Sequence, residues 1–317
     1  MSLTEGKRPV VVGCGGLGVS VARELIRLGM DPLVLSRSGR RRHPDDLTVV
    51  ACDLTDDVAS RQAFSDAGLI INCAAPPYHR WPAEFPALQA GLIRAARRTG
   101  AVLIDAQNTY MYGRTDVPFS EDQPVRPISV KGEVRARLAE ELMAAHGRGD
   151  IRAAAGRIVS FYGPYQIEGR LGSRVFGAAV AGGKSRVLGD IDLPYSASYV
   201  SDVAAGLVTL GVNERAWGRI WHLPAPPPMT TRQFLDLVYA KAGHRTRILN
   251  PPGFAVRIAG KVVPAARELA EMLYVVEAPT VIDDQRFRDE FRPQVTGHDV
   301  GVEQTLDWFR AEAMATV

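Results

Sequence analysis

The sequence predicts an α/β protein: a doubly wound parallel sheet followed by a smaller C-terminal substrate lobe. Three observations carry this. A glycine-rich turn joins a β-branched run to an amphipathic segment near the N terminus. Short apolar runs then alternate with helical periods, and beyond residue 164 the composition shifts to Gly- and Pro-rich stretches. The expected boundaries are a core over residues 7–164 and a lobe over 165–317, with the chain returning to the core near 195–222.

The first element is the most informative. In "RPVVVGCGGLGVSVARELIRLG", Val10 to Val12 suit a buried parallel strand. Gly13, Gly15 and Gly18 then form G-x-G-x-x-G, with Gly16 and Leu17 inside it. Val19, Ala22, Leu25, Ile26 and Gly29 supply helical spacing and a stop. The motif alone is weak, but between a strand and a helix it has a physical reading. The first glycine allows the turn, the second leaves room for a pyrophosphate, and the third lets helix and strand pack closely. The helix N terminus offers free N–H groups to the phosphate. The sheet is therefore read as Rossmann-type, binding a dinucleotide through Gly13, Gly15, Gly16, Leu17 and Gly18.

The second strand, "DPLVLSRSGR", decides which dinucleotide. An acidic residue at its end would bind the ribose 2′-hydroxyl of NAD(H). Ser36 and Arg37 stand there instead, with Arg40 to Arg42 close behind. Arginine suits a 2′-phosphate, so NADP(H) is favoured over NAD(H). The third strand, "LTVVACDLTD", places Asp53 and Leu54 near the adenine. The fourth, in "AGLIINCAAPPYHRW", ends in the small Ala74 and Ala75, along which a cofactor can lie. Its following loop carries Tyr78, His79 and Trp81, expected to face the substrate. "PALQAGLIRAARRTG" is an amphipathic helix leading to the fifth strand, "GAVLIDAQNTYMYG". That strand has a tyrosine-rich tip on which Tyr110 and Tyr112 are expected to alternate with Met111. Ligands in such sheets sit outside the carboxyl ends of the strands.

Composition sets limits. The net charge is +3, and much of the local excess lies in Ser36 to His43. Without interleaved aromatics this cluster reads as a solvated loop or a small-phosphate site, not a nucleic-acid patch. No apolar run reaches the roughly 18 residues of a membrane span. "MSLTEGKRP" has no apolar signal segment, so a cytoplasmic protein is expected, with neither nucleic acid nor membrane as partner. Cys14, Cys52 and Cys73 have no zinc or disulfide spacing and are read as small buried thiols. His222, His244 and His298 are scattered, and no metal is expected.

"CDLTD", "NCAAP", "NTYMYG", "SFYGP" and "YSASYVSDVAAGLVTL", in this order, resemble elements of the extended short-chain dehydrogenase/reductase family, the NAD-dependent epimerase/dehydratase group. The resemblance runs over almost the whole chain. It implies an adenine-side role for Asp53 and Leu54, a nicotinamide-facing Tyr162, and a small-molecule substrate. It also implies a homodimer formed by helices 83–99 and 133–146. In that family a Tyr-x-x-x-Lys pair does the chemistry. The tyrosine exchanges a proton with the substrate oxygen, the lysine binds the nicotinamide ribose and lowers the tyrosine pKa, and a Ser or Thr holds the substrate oxygen.

The pair should stand in "PISVKGEVRARLAEEL", residues 127–142. Aligned on Pro127, Ser129 and Gly132, the tyrosine position is Lys131 and the lysine position is Arg135. Aligned on Tyr112-Gly113, the Ser/Thr position is Asn108. The glycine loop also departs from the extended group's G-x-x-G-x-x-G, so the usual proton relay does not carry over. Arg135 donates to hydroxyls and suits the ribose role. The proton donor stays open among Lys131, Tyr110 and Tyr112. Lys131 would need a pKa depressed by burial or by Arg135 one helical turn away. Asn108 both donates and accepts, which suits a substrate carbonyl or hydroxyl.

In the lobe, Thr230 or Thr231 is expected to cap a helix, and "PAARELAEMLYVV" to form an apolar-faced one, with Met272, Leu273 and Tyr274 as core. The reading is an NADP(H)-dependent oxidoreductase acting on a small carbonyl or alcohol. A non-redox isomerase, cyclase or lyase on the same scaffold, and a redox-inactive NADP(H)-binding regulator, are the alternatives.

Overall fold

A computed structural model describes residues 7–39 and 47–315. Its sheet holds β1 (Arg8–Val12), β2 (Leu33–Ser36), β3 (Val49–Ala51), β4 (Ala67–Asn72), β5 (Val102–Gln107), β6 (Arg152–Arg157) and an outer strand Ile220–His222. The spatial order is outer strand, β6, β5, β4, β1, β2, β3, and every pairing is parallel. Strand order reverses between β1 and β4, which opens the ligand crevice of a doubly wound sheet at their carboxyl ends.

The continuous apolar runs follow from helices on both faces. Successive residues of a strand point to opposite sides. Val11, Ile71 and Ile104 therefore pack with Leu25 of α1 (Gly16–Arg27) and Leu207 of the helix Val200–Val212. Val10, Ile70 and Leu103 pack on the other face with Leu92 of α2 (Trp81–Thr99) and Leu142 of α3 (Val130–Gly147). A third core, holding Tyr162, Phe176, Phe234 and Leu306, makes the lobe. Thr230 caps the lobe helix Thr231–Ala242 through a capping box with Gln233.

Three local features position the site. Ser129 caps α3, its Oγ accepting from the Gly132 N–H at 3.0 Å. A Cβ on Gly132 would lie 2.8 Å from the Tyr110 carbonyl oxygen, so the start of α3 packs directly on the tip beyond β5. That tip is not the extended strand expected from sequence. Asn108 Oδ1 accepts from the Tyr110 N–H at 3.1 Å, ends β5 at Gln107 and turns Tyr110–Tyr112 into a 3₁₀ turn. The third is the helix Pro264–Glu271, which buries none of its side chains despite its apolar pattern. Cys52 is buried, whereas Cys14 and Cys73 are only half-buried, correcting the expectation of three core thiols. Among the described residues no helix is long and apolar enough to cross a membrane.

Candidate active site

At the tip of β1, Gly13 adopts φ +104°, a left-handed conformation that side chains rarely tolerate. A Cβ on Gly18 would collide with the Gly13 carbonyl, whereas the position of a Cβ on Gly15 is open, with nothing within 4 Å. Gly15 is the N-cap of α1, and no side chain caps the first turn, where Gly16 and Leu17 are buried. Ala74 is half-buried and Ala75 exposed on the facing wall. This open cradle at a helix N terminus fits a pyrophosphate.

At the end of β2 the Ser36 hydroxyl is buried and has no partner. Arg37 Nη1 lies 3.0 Å from Glu84 Oε2, and Glu84 Oε1 lies 3.0 Å from Arg80 Nη1, so one carboxylate serves two guanidiniums. Arg40 to Arg42 lie outside the described residues. Asp53 is exposed. Its carboxylate accepts from the Thr55 N–H and hydroxyl at 2.9 and 2.7 Å, which holds it below its usual range, with Arg37 adding to the effect. Leu54 is buried under α2, where a Cβ on Gly91 would meet its carbonyl at 2.8 Å.

Arg135 is buried. Its Nη2 donates to the Ala106 carbonyl at 3.0 Å, and its guanidinium lies 4.9 Å from the Phe85 ring centre. Its Nε is buried without a partner. Desolvation lowers the guanidinium pKa, opposed by Asp105, but a guanidinium stays charged at working pH. An orphaned cationic donor at the end of β5 fits a ribose hydroxyl. The dinucleotide therefore fits these residues at three points: the glycine cradle, the end of β2 and Arg135.

Lys131 does not meet the requirement for an acid. Only 3% of its side chain is exposed, and its Nζ lies 2.6 Å from Glu268 Oε2 and 2.5 Å from Glu271 Oε2. Burial lowers its pKa, but the two carboxylates outweigh this and the net shift is upward. Arg135 turns away toward Ala106 and Phe85, so the cation expected to depress Lys131 does not face it. Lys131 instead ties α3 to the helix Pro264–Glu271, and its Nζ lies 5.5 Å from the Tyr78 ring centre. Lys131→Met is expected to destabilise the protein by about 1–2 kcal/mol, a buried-pair loss discounted for carboxylates that are about a quarter exposed. Faster hydrogen exchange in residues 264–271 would accompany it, read by mass spectrometry.

Tyr110 stands against a second phenol. Its hydroxyl lies 2.7 Å from the Tyr78 hydroxyl. Burial, then Tyr78, raises its pKa well above the ordinary phenol value, while Arg170 opposes this. The Tyr274 hydroxyl donates to the Tyr110 carbonyl at 3.2 Å and lies 3.2 Å from Ser129 Oγ, closing the site from the lobe side. Tyr78 is exposed and Tyr110 half-buried, so the phenol pair reaches from the site's wall to its surface. Asn108 is half-buried, its Oδ1 committed to the Tyr110 N–H.

Other expected site residues are drawn elsewhere. Tyr112 is buried, and its hydroxyl takes Arg157 Nη1 at 2.5 Å and meets His222 Nε2 at 2.7 Å. His222 Nδ1 lies 2.9 Å from the Asp283 carbonyl and so must donate, leaving Nε2 to accept from Tyr112. Tyr112 thus anchors structure and has no free phenol for substrate. Tyr162 is fully buried in the lobe core, stacked on Phe176, with its hydroxyl 3.2 Å from His298 Nδ1. Trp81 is buried against Phe85 and Tyr110, its indole donating to the Pro76 carbonyl at 2.8 Å, so it packs behind Tyr110. His79 is exposed and accepts from Arg80 Nε at 3.3 Å.

Asp105, a polar residue within an apolar strand that reads as a structural hydrogen-bonding group, lies at the centre of a buried polar chain along the strand ends whose other members sequence reasoning missed. Asn72 Nδ2 donates to Asp105 Oδ1 at 2.7 Å, Gln107 Nε2 to Asp105 Oδ2 at 3.0 Å, and Arg157 Nε to Gln107 Oε1 at 3.3 Å. Its one signal was polar residues at the ends of three apolar strands. Glu268, Glu271 and the pairing of Glu84 with Arg37 gave no signal, because each depends on a partner distant in sequence.

Comparison with known proteins agrees with this architecture. The model of the NAD dependent epimerase/dehydratase family matches residues 10–221. The UDP-glucose 4-epimerase of Thermus thermophilus, solved in complex with NAD, superposes with TM-score 0.77 at 20% identity, covering 96% of this chain and 99% of that one. The Bacillus anthracis dTDP-glucose 4,6-dehydratase, also in complex with NAD, does so with TM-score 0.80 at 15% identity, covering 98% of each. In sequence, the dTDP-4-dehydrorhamnose reductase of Mycolicibacterium smegmatis is 26% identical over 150 residues, 44% of this chain. The match spans 61% and 42% of the lengths of the first two curated relatives, less than two thirds of either. With the family model matching about two thirds of its length, on the glycine loop and strand ends described above, this chain belongs to the NAD-dependent epimerase/dehydratase family.

Proposed function

We propose that this chain is an NADP(H)-dependent oxidoreductase acting on a small-molecule carbonyl or alcohol, with Tyr110 and Tyr78 exchanging the proton that the missing family tyrosine would carry. The observation that supports it most is the 2.7 Å contact between a half-buried, neutral phenol and an exposed one beside α3, where the family's tyrosine would stand. The bound nicotinamide supplies hydride transfer. Arg135 holds the ribose, Tyr110 gives or takes the proton at the substrate oxygen through or beside Tyr78, and Lys131 keeps the lobe helix closed over them.

The preference for NADP(H) rests on the end of β2. Among the described residues Arg37 pairs with Glu84, a half-buried carboxylate shared with Arg80, and such solvent-accessible pairs are worth about 0–1 kcal/mol, so a 2′-phosphate displaces Glu84 at little cost. Fluorescence titration is expected to show tighter binding of NADPH than of NADH. Arg37→Ala should weaken NADPH about tenfold or more and leave NADH unchanged, since a charge-assisted bond to phosphate is lost. If NADH binds better, the preference is wrong. Loss of nicotinamide absorbance across a panel of carbonyls then tests turnover. Tight NADPH binding with no turnover on the panel would favour the non-redox isomerase, cyclase or lyase, or the regulator.

A further inference from the structure

Arg170 stands in the lobe with no carboxylate beside it among the described residues. Its Nη2 donates to Thr231 Oγ1 at 2.7 Å, and its guanidinium carbon lies 4.4 Å from the centre of the Tyr195 ring. Tyr195 is itself buried, at 2% exposure, and its hydroxyl has no hydrogen-bond partner. Thr231 is fully buried, and by accepting from Arg170 it keeps its own proton to donate. A guanidinium without a carboxylate and an orphaned buried phenol together leave the region electrostatically incomplete: a buried polar group lacking a partner is costly and calls for a group that would satisfy it.

The surroundings connect this region to the reaction site. The Tyr195 backbone bridges to Thr280, and Thr280 lines one cleft with Tyr110 and Tyr274. The charge of Arg170 is also felt at the Tyr110 phenol. The residues favour one kind of anion. A guanidinium presents a planar fork that matches a carboxylate with two parallel bonds. A single cation with two neutral hydroxyls balances one negative charge, whereas a diphosphate would leave charge uncompensated. We propose that Arg170, with the hydroxyls of Tyr195 and Thr231, binds a carboxylate of the substrate. Together with the function proposed above, on which the reactive group rests, this makes the substrate a carboxylated carbonyl or alcohol.

Saturation-transfer-difference NMR on the full chain tests it, with 2-oxobutyrate and its methyl ester as probes. The acid is expected to bind, and the ester about tenfold or more weakly, because it lacks the charge-assisted bond. Arg170→Met should abolish acid binding. Arg170→Lys, which keeps the charge without the fork, should retain part of it. Tyr195→Phe should weaken the acid several-fold with an unchanged melting temperature, which keeps the test valid if Arg170→Met does not fold. The proposal fails if acid and ester bind alike, if neither binds, or if the Arg170 and Tyr195 variants bind the acid like the parent chain. It also fails if inorganic pyrophosphate displaces the acid at lower concentration, which would mark a diphosphate subsite. Its failure is separable from that of the oxidoreductase reading. Acid binding without NADPH binding sinks only the latter, and NADPH turnover without acid selectivity sinks only the carboxylate site.

Discussion

Tyr110→Phe is expected to lower kcat by about 10²–10⁴-fold, the usual worth of a positioned general acid or base. NADPH affinity should hold within about twofold, since none of the cradle residues contacts the lost hydroxyl. The expectation rests on the hydroxyl's 2.7 Å contact with Tyr78 and on burial, which keeps the phenol protonated and able to donate. Tyr78→Phe should cost less, because it removes only the exposed end of the pair. The double variant should be little worse than Tyr110→Phe, since residues acting as one unit are not additive. Steady-state kinetics with NADPH and any carbonyl the panel identifies would read all three. Full activity in Tyr110→Phe, or loss of activity in Lys131→Met without loss of fold, would hand the proton step to another group. Tyr112→Phe makes a useful control: it should lower stability and not kcat, because its hydroxyl joins Arg157 to His222.

Stability should fall steeply below neutral pH because of His222. The ring is buried without exposure, and burial, reinforced by Arg157 and only partly opposed by the Asp283 carbonyl, pushes its pKa from 6.5 down to about 4. The unfolded chain therefore binds a proton at pH values where the folded one does not. The contribution is complete above the unfolded pKa and is lost as pH falls through 6.5 toward about 4, amounting to about 3 kcal/mol over that window. His298, lowered in the same direction by burial, steepens the loss. Urea titrations at steps between pH 7 and 4 would measure it. His222→Gln, which keeps a donor and an acceptor, should flatten the curve. An equally steep curve in that variant would assign the acid sensitivity elsewhere.

Much of the fold was legible because it depends on periodicity and on backbone geometry. Val10–Val12, the glycines after them and the helix beyond could form little else, and the alternation of strands and helices dictated a parallel sheet. The dinucleotide cradle was legible for the same reason: only glycine tolerates the φ of Gly13 or the approach of Gly18 to it. The tip beyond β5 was misread because one side chain, Asn108, turns the backbone that the tyrosines' β-propensity would extend.

The active-site chemistry was less legible, because it depends on which side chains meet across long sequence separations. The sequence by itself determined that Lys131 and Arg135 stand where the family has tyrosine and lysine. It also placed a Rossmann-type cradle at Gly13–Gly18 and left Tyr110 and Tyr112 as equal suspects. Only the tertiary structure separated them, sending Tyr112 inward to Arg157 and His222 and leaving Tyr110 against Tyr78. It likewise brought Glu268 and Glu271 from more than 130 residues away onto Lys131 and fixed its charge. The physical reason is that a pKa belongs to an environment: desolvation and neighbouring charges set it, and a linear sequence carries neither.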